Sequence, residues 1–407
     1  MREEFKLNFF ELNLIYILCG FSFMTTIYSN PSASIIYRAI GILIPFICLL
    51  KTKFKITIPN DLRFKTYIIL LCLYSIAVLY TLFWGKYQTF NAPSKNLTLL
   101  FLIGITWFPI MGYISNIKYI NYNKVVIYIF FILLFVIGKG YIGISNQVAS
   151  TSGRFMLNAS QSTLTFGDKG MMLMIASFAL LIAPPLPFLK SFFKFIFLGG
   201  VILGIMGAMK GGSRGPFLSG FISLIFMSIC APKNMKRILT IFILGLIGAG
   251  TAVLNAIHSF APALFDRIMQ SILTGDSSGR DSIFSDAFHS INFIIGGSPI
   301  ILEKDMFFGY HNVYITLSMG IGIIPAIIFI ILIVSLIISF YRKVKNKTLS
   351  SAGEFFVYGF FIFYIFRGLT GVNMLSTNEF NMSILMSCYI CSIQYLNFRN
   401  HINKKIA

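Results

Sequence analysis

Charge is what this sequence has least of: 11% of its 407 residues are Asp, Glu, Lys or Arg, and only 13 are acids, whereas a soluble domain carries roughly 25% charged residues. With 57% hydrophobic residues and a mean hydropathy of +0.81, the chain does not have water as its main solvent. Its apolar stretches lack the alternation of polar and apolar residues that barrel strands need, which excludes a transmembrane β-barrel. No small-residue cleavage site precedes Tyr28, and the first apolar stretch starts behind only Arg2 and Lys6, so it reads as a retained span rather than a leader. An extracytoplasmic disulfide framework is missing too, because Cys19, Cys48, Cys72, Cys230, Cys388 and Cys391 fall within or at the ends of apolar stretches. Cys388 and Cys391 form a C-x-x-C on one helix face and read as packing residues.

What is present, from end to end, is apolar sequence in runs of the roughly 20 residues that cross a bilayer as helix. The fold class expected is an all-α polytopic membrane protein of about twelve transmembrane helices. The spans fall near 10–28, 34–50, 66–84, 97–116, 125–142, 168–188, 193–209, 215–230, 238–257, 312–340, 353–370 and 380–397. In a single integral membrane domain, residues 1–257 hold helices 1–9, residues 258–311 form one large loop, and residues 312–407 hold helices 10–12 and a tail. Positive loops stay cytoplasmic. An N-terminus on the inside gives the inner face most of the 33 basic residues, including Lys51, Lys53, Lys55, Lys233, Lys236, Arg237, Arg342, Lys343, Lys345 and Lys347. Both termini are then cytoplasmic and the large loop lies outside. The net charge of +20 comes from short clusters at helix ends, which fits topology and anionic membrane lipids rather than nucleic acid.

The polar residues are unevenly spread. Residues 143–167, rich in Ser, Thr, Asn and Gln, read as a hydrophilic outer loop, with a sugar-lining role as the alternative. The segment from His258 to His311 is much the longest outer stretch and holds six of the 13 acids, Asp266, Asp276, Asp281, Asp286, Glu303 and Asp305, together with His258, His289 and His311. It is too short for a separate domain and too long for a connector, which predicts a small helical cap. Within it, Asp281 to Phe293 carries helix-like spacing of Ile283, Phe284, Ala287, Phe288 and Ile291.

A charge placed at membrane depth costs about 2.5–3.5 kcal/mol even on the lenient insertion scale, so such residues are candidates for function. Lys210 and Arg214 bracket the run Lys210-Gly-Gly-Ser-Arg214-Gly-Pro216 between two spans, and Arg367 sits near the outer end of the eleventh span. With Arg280 they form a set of cations on one side of the membrane, and guanidinium groups suit bidentate binding of phosphate. A lipid with a diphosphate head fits that set. Irregular turns such as Gly211-Gly212-Ser213 are tolerated in membranes mainly where they are buried or line a cavity. Lys139, on the fifth span, reads as snorkelling to the interface by itself.

These residues resemble a known group. Gly212-Ser213-Arg214-Gly215 opening a span, Ser278-Gly279-Arg280 in a large outer loop and Gly309-Tyr310-His311-Asn312 closing it resemble the O-antigen polymerase (Wzy) and O-antigen ligase superfamily. The ligase pattern of a histidine, ten residues and a glycine is met by His311 and Gly322. The resemblance covers roughly residues 205–340, and Ser213-Arg214-Gly215-Pro216 with Tyr310-His311-Asn312 favours the polymerase branch. It implies a metal-independent, inverting glycosyltransferase without cofactors in the bacterial inner membrane, its site facing the periplasm. The donor is an oligosaccharide on undecaprenyl diphosphate, and a chain-length regulator and a flippase are the implied protein partners. His311 and Arg280 are the implied catalytic residues, while Arg214, Arg280, Lys210 and Arg367 would hold the diphosphate.

Metal-dependent lipid-linked transferases tend to place paired acids in an early outer loop, and residues 29–38 have none. A ligase that moves the polymer to lipid A core is the main alternative. A flippase would be expected to show internal repeats and midplane charges, which are missing here.

Overall fold

The computed structural model describes residues 6–27, 32–56, 58–84, 93–143, 163–183, 192–231, 255, 257–274, 312–345, 351–371 and 377–406. Among these residues there is no strand. The α-helices are α1 (Phe9–Ile27), α2 (Ser32–Lys51), α3 (Leu62–Trp84), α4 (Pro93–Ile114), α5 (Tyr122–Gly143), α6 (Thr163–Ile182), α7 (Phe192–Lys210), α8 (Arg214–Cys230), α9 (Pro262–Thr274), α10 (Val313–Ile321), α11 (Ile323–Lys345), α12 (Ala352–Arg367) and α13 (Asn378–Ile406). Five carry stretches long and apolar enough to cross a membrane: Leu62–Leu79, Tyr122–Tyr141, Thr165–Ile182, Phe192–Lys210 and Ile323–Lys345. The chain is a helical membrane protein. The expected ninth span at 238–257, and the helix expected from Asp281 to Phe293, lie almost entirely or entirely outside the described residues.

Two expected spans differ from what forms. The sixth, placed at 168–188, is α6 at Thr163–Ile182. The helix stops two residues before the Pro184-Pro185 pair, where missing N–H donors and ring clashes end helical hydrogen bonding. Its start therefore moves back, and Asp168 and Lys169 fall in the second turn instead of at the edge. The tenth, placed at 312–340 as one span, is two helices, α10 and α11, broken at Gly322. Gly322 has φ 103°, a backbone conformation that side chains resist. Its N–H still donates to the Ser318 carbonyl at 3.0 Å, closing α10.

The chain forms two compact units, the first comprising residues 1–44, 117–277 and 349–363. Helix α6 is its axis: 83% of the Thr165–Ile182 stretch is buried, against 28% for Phe192–Lys210 of α7. Each face of α6 meets a different neighbour. Gly170 lies against the backbone of Gly204 and Ala208 on α7, Gly167 against Pro216 on α8, and Phe166 against Gly140 on α5. Gly359 of α12 admits Ile175, and Lys169 faces α1. Helices α1 and α5 run parallel. At one end the Glu11 carboxylate accepts from the Asn121 N–H at 3.2 Å, and at the other Lys139 Nζ donates to the Thr26 carbonyl.

The second unit comprises residues 45–116, 278–348 and 364–407. Its described core gathers around Phe329 of α11, whose ring centroid lies 5.8 Å from that of Tyr314 and 6.3 Å from those of Tyr67 and Phe380. Several of its polar groups are paired across helices, which lowers the cost of burying them. The Tyr67 hydroxyl donates to Asn381 Oδ1 at 2.6 Å, Trp107 Nε1 to Ser75 Oγ at 2.9 Å, and Lys343 Nζ to the Ile390 carbonyl at 2.8 Å. Asp61 caps α3 by accepting from the N–H groups of Arg63 and Phe64 and pairs with the Arg63 guanidinium at 2.8 Å.

Candidate functional site

In the first unit, the end where α7 turns into α8 concentrates cationic side chains. Lys210 is the last residue of α7 and Arg214 the first of α8. Between them the Gly211 and Gly212 N–H groups donate back to Gly207 and Met209, each at 3.0 Å. Gly212 has φ 61°, a left-handed conformation that glycine adopts at no steric cost. Ser213 then extends (φ −111°, ψ 121°) into α8 and forms no side-chain cap. Gly211, Gly212 and Ser213 are buried while Lys210 and Arg214 are half-buried. The turn is thus a backbone element inside protein, with two cations at its mouths.

The same end carries Lys139 and Lys169. Lys139 is exposed and bonds the end of α1 through Thr26. Lys169 is only 4% exposed, and its ammonium donates to the Leu18 carbonyl at 3.0 Å and lies 3.7 Å from Met172 Sδ. Helix α6 starts at this end, as does α8, and α1, α5 and α7 finish there. Parallel and antiparallel packing therefore puts Lys139, Asp168, Lys169, Lys210 and Arg214, residues far apart in the chain, towards the same end of the unit.

One helical segment from the large loop sits against the turn. Lys210 Nζ lies 4.2 Å from the centroid of the Phe260 ring, within cation–π range. Arg214 Nη1 donates to the Arg267 carbonyl at 3.0 Å. The His258 and Phe265 rings meet edge to face at 4.8 Å. Burial lowers the pKa of the Arg267 guanidinium from its usual value.

In the second unit, Arg367 ends α12 at 3% exposure and donates to Thr370 Oγ1 at 2.9 Å. The start of α10 is docked on this corner. The Val313 N–H donates to the Gly368 carbonyl at 2.8 Å, and the Tyr314 hydroxyl donates to Ile365 at 3.1 Å. Asn312 caps α10 by accepting from the Tyr314 and Ile315 N–H groups at 3.0 and 3.2 Å. A Cβ on Gly368 would come within 2.7 Å of Val313 Cγ1, so the two helix ends meet at a residue that must be small.

Of the residues picked out from the sequence, the structure brings Lys210 and Arg214 to one turn and places Arg367 in the other unit. His311 and Arg280 lie outside the described residues. Sequence reasoning did not include Lys169, Phe260 or Arg267 in the site. Lys169 carried a signal, a lysine inside an apolar run, but the span was started too late to place it at depth. No family model, no curated protein and no solved structure matches the chain.

Proposed function

We propose that this protein is an O-antigen polymerase, an inverting, metal-independent glycosyltransferase that joins undecaprenyl-diphosphate-linked oligosaccharide repeats on the periplasmic face of the inner membrane. Twelve spans with both termini inside would turn the cation-bearing end of the first unit outward. The observation that carries the reading is the turn Lys210-Gly-Gly-Ser-Arg214, a buried backbone reversal flanked by two half-buried cations. Holding charge beside a membrane interior is costly, and a diphosphate ligand gives a physical reason to keep it.

In the proposed reaction an acceptor sugar hydroxyl attacks the anomeric carbon of the donor as its bond to the diphosphate oxygen breaks. Diphosphate is a good leaving group and needs its charge neutralised more than it needs a proton. Arg214, Lys210 and Arg280 would supply that neutralisation, with guanidinium forks matched to phosphate oxygens. His311 would take the hydroxyl proton, a task suited to an imidazole near neutral pH. Arg367 is the further cation that the sequence resemblance implies for the diphosphate.

The reading is tested by deleting the protein and resolving lipopolysaccharide by electrophoresis. Core bearing one repeat unit is expected. Bare core with lipid-linked polymer accumulating would point to a ligase, and repeats confined to the cytoplasmic face would point to a flippase. The ligase is kept as the second reading on one observation: Gly322, separated from His311 by ten residues, holds a positive φ of 103° that only glycine adopts easily.

A further inference from the structure

The two cations of the α7–α8 turn are already engaged, and one segment contributes a contact to each. Residues 257–260 form a helical turn and α9 follows after Ala261, whose carbonyl accepts from Leu264 and Phe265 at 3.0 and 3.1 Å. This segment places the Phe260 ring under the Lys210 ammonium and the Arg267 carbonyl on the Arg214 guanidinium. A ring face and a carbonyl oxygen are the electron-rich groups that an anion would replace.

The segment is also lightly held. Among the described side chains of α9 only Leu264 is buried, whereas Asp266 and Gln270 are exposed and Leu273 is 75% exposed. Its main helix neighbour among the described residues is α8. Its contact with the turn includes the two cation contacts.

We propose that residues 257–274 are a displaceable cover over the Lys210–Arg214 turn, closed in the ligand-free protein and released when a diphosphate group takes over the two cations. This deepens the anion-site reading and rests on it. The occupant is a diphosphate, whether free or as a lipid headgroup. Closure places neutral groups on the two cations when no ligand is there, and opening couples donor arrival to movement of this segment.

The test uses the full chain in detergent micelles with inorganic pyrophosphate as probe. Binding is measured by calorimetry for the wild type, Phe260→Ala and Arg214→Ala, and amide hydrogen exchange of residues 257–274 is followed with and without pyrophosphate. Removing the ring removes a competitor for Lys210, so Phe260→Ala should bind about two- to fivefold more tightly than wild type, the factor a part-exposed cation–π contact is worth. Exchange in α9 should rise on binding. Binding by Phe260→Ala but not by wild type would support the cover still more strongly.

Pyrophosphate binding that Arg214→Ala abolishes, with α9 exchange unchanged or slowed and Phe260→Ala no tighter, would overturn the cover and leave the anion site standing. Absence of binding in both wild type and Phe260→Ala would overturn the two together. Repeating the measurement with vesicles carrying a diphosphate lipid, against vesicles with phosphatidylglycerol, separates a lipid headgroup from free diphosphate as the natural source.

Discussion

Replacing Gly170 by alanine tests whether the packing of α6 on α7 sets the position of the cationic turn. The added Cβ would lie 2.7 Å from the Gly204 carbonyl oxygen and 2.8 Å from the Ala208 N–H nitrogen. Both obstacles are backbone and cannot rotate away. Ordinary contact begins near 3.4 Å, so the helices must part by about 0.7 Å, and overpacking of that kind costs about 1–3 kcal/mol. Because α7 ends in Lys210, the shift is delivered to the turn. A displacement approaching 1 Å can reduce a reaction by as much as ~100-fold.

Three alanine substitutions calibrate the effect. Gly199 has nothing within 4 Å of its Cβ position, so Gly199→Ala should be neutral or stabilising by up to about 1 kcal/mol through helix propensity. The nearest atoms to a Cβ on Gly220 belong to the Met171 side chain, which can move, so Gly220→Ala should cost less than Gly170→Ala. Gly204→Ala meets the Gly170 carbonyl at 2.6 Å and Met174 N at 2.7 Å and should match Gly170→Ala. Thermal unfolding in detergent and polymer length on complementation are the assays. Unfolding of Gly170→Ala indistinguishable from that of Gly199→Ala would refute the packing argument.

Asn312→Ala leaves two α10 N–H groups without their acceptor and should cost ~1 kcal/mol in unfolding free energy, while Asn312→Asp, which keeps the oxygen, should retain most of it. If His311 acts beside this cap, Asn312→Ala also lowers polymer yield beyond the stability loss. Lys169→Met removes a buried cation but keeps its volume, so the unfolding temperature should hold or rise while polymer yield falls if the ammonium contributes to the anion site. A lowered unfolding temperature with normal polymer would assign Lys169 to structure alone. Arg280→Ala and His311→Ala should leave the protein inserted, as judged by membrane fractionation, and abolish polymer; normal chain length in both would remove them from the reaction.

Much of the architecture was legible because hydropathy reports what a helix touches. Eight of the expected spans form as helices whose ends lie within about four residues of their expected positions, from α1 at Phe9–Ile27 to α12 at Ala352–Arg367, whereas α6 is shifted towards the N-terminus and α13 runs on past its expected end. Hydropathy fails where the backbone decides. The run Ile321-Gly322-Ile323-Ile324-Pro325 is apolar throughout, so the break at Gly322 leaves no trace in it. The shift of α6 has the same origin: proline chemistry at one end sets where the helix lies, and with it the depth of Lys169. Arg214 was legible as a cation on an irregular turn. Its acceptor, the Arg267 carbonyl, was not, because the contact joins residues 53 apart through packing of α9 on α8.

The central claim is tested most directly by reconstituting the purified full chain in liposomes with synthetic undecaprenyl-diphosphate-linked repeat units and no other acceptor, in the presence of a metal chelator. Products are read by electrophoresis. The account predicts a ladder of lengthening glycans from wild type and only the starting single unit from Arg214→Ala. Absence of elongation by well-inserted wild type, or equal ladders from both proteins, would contradict it.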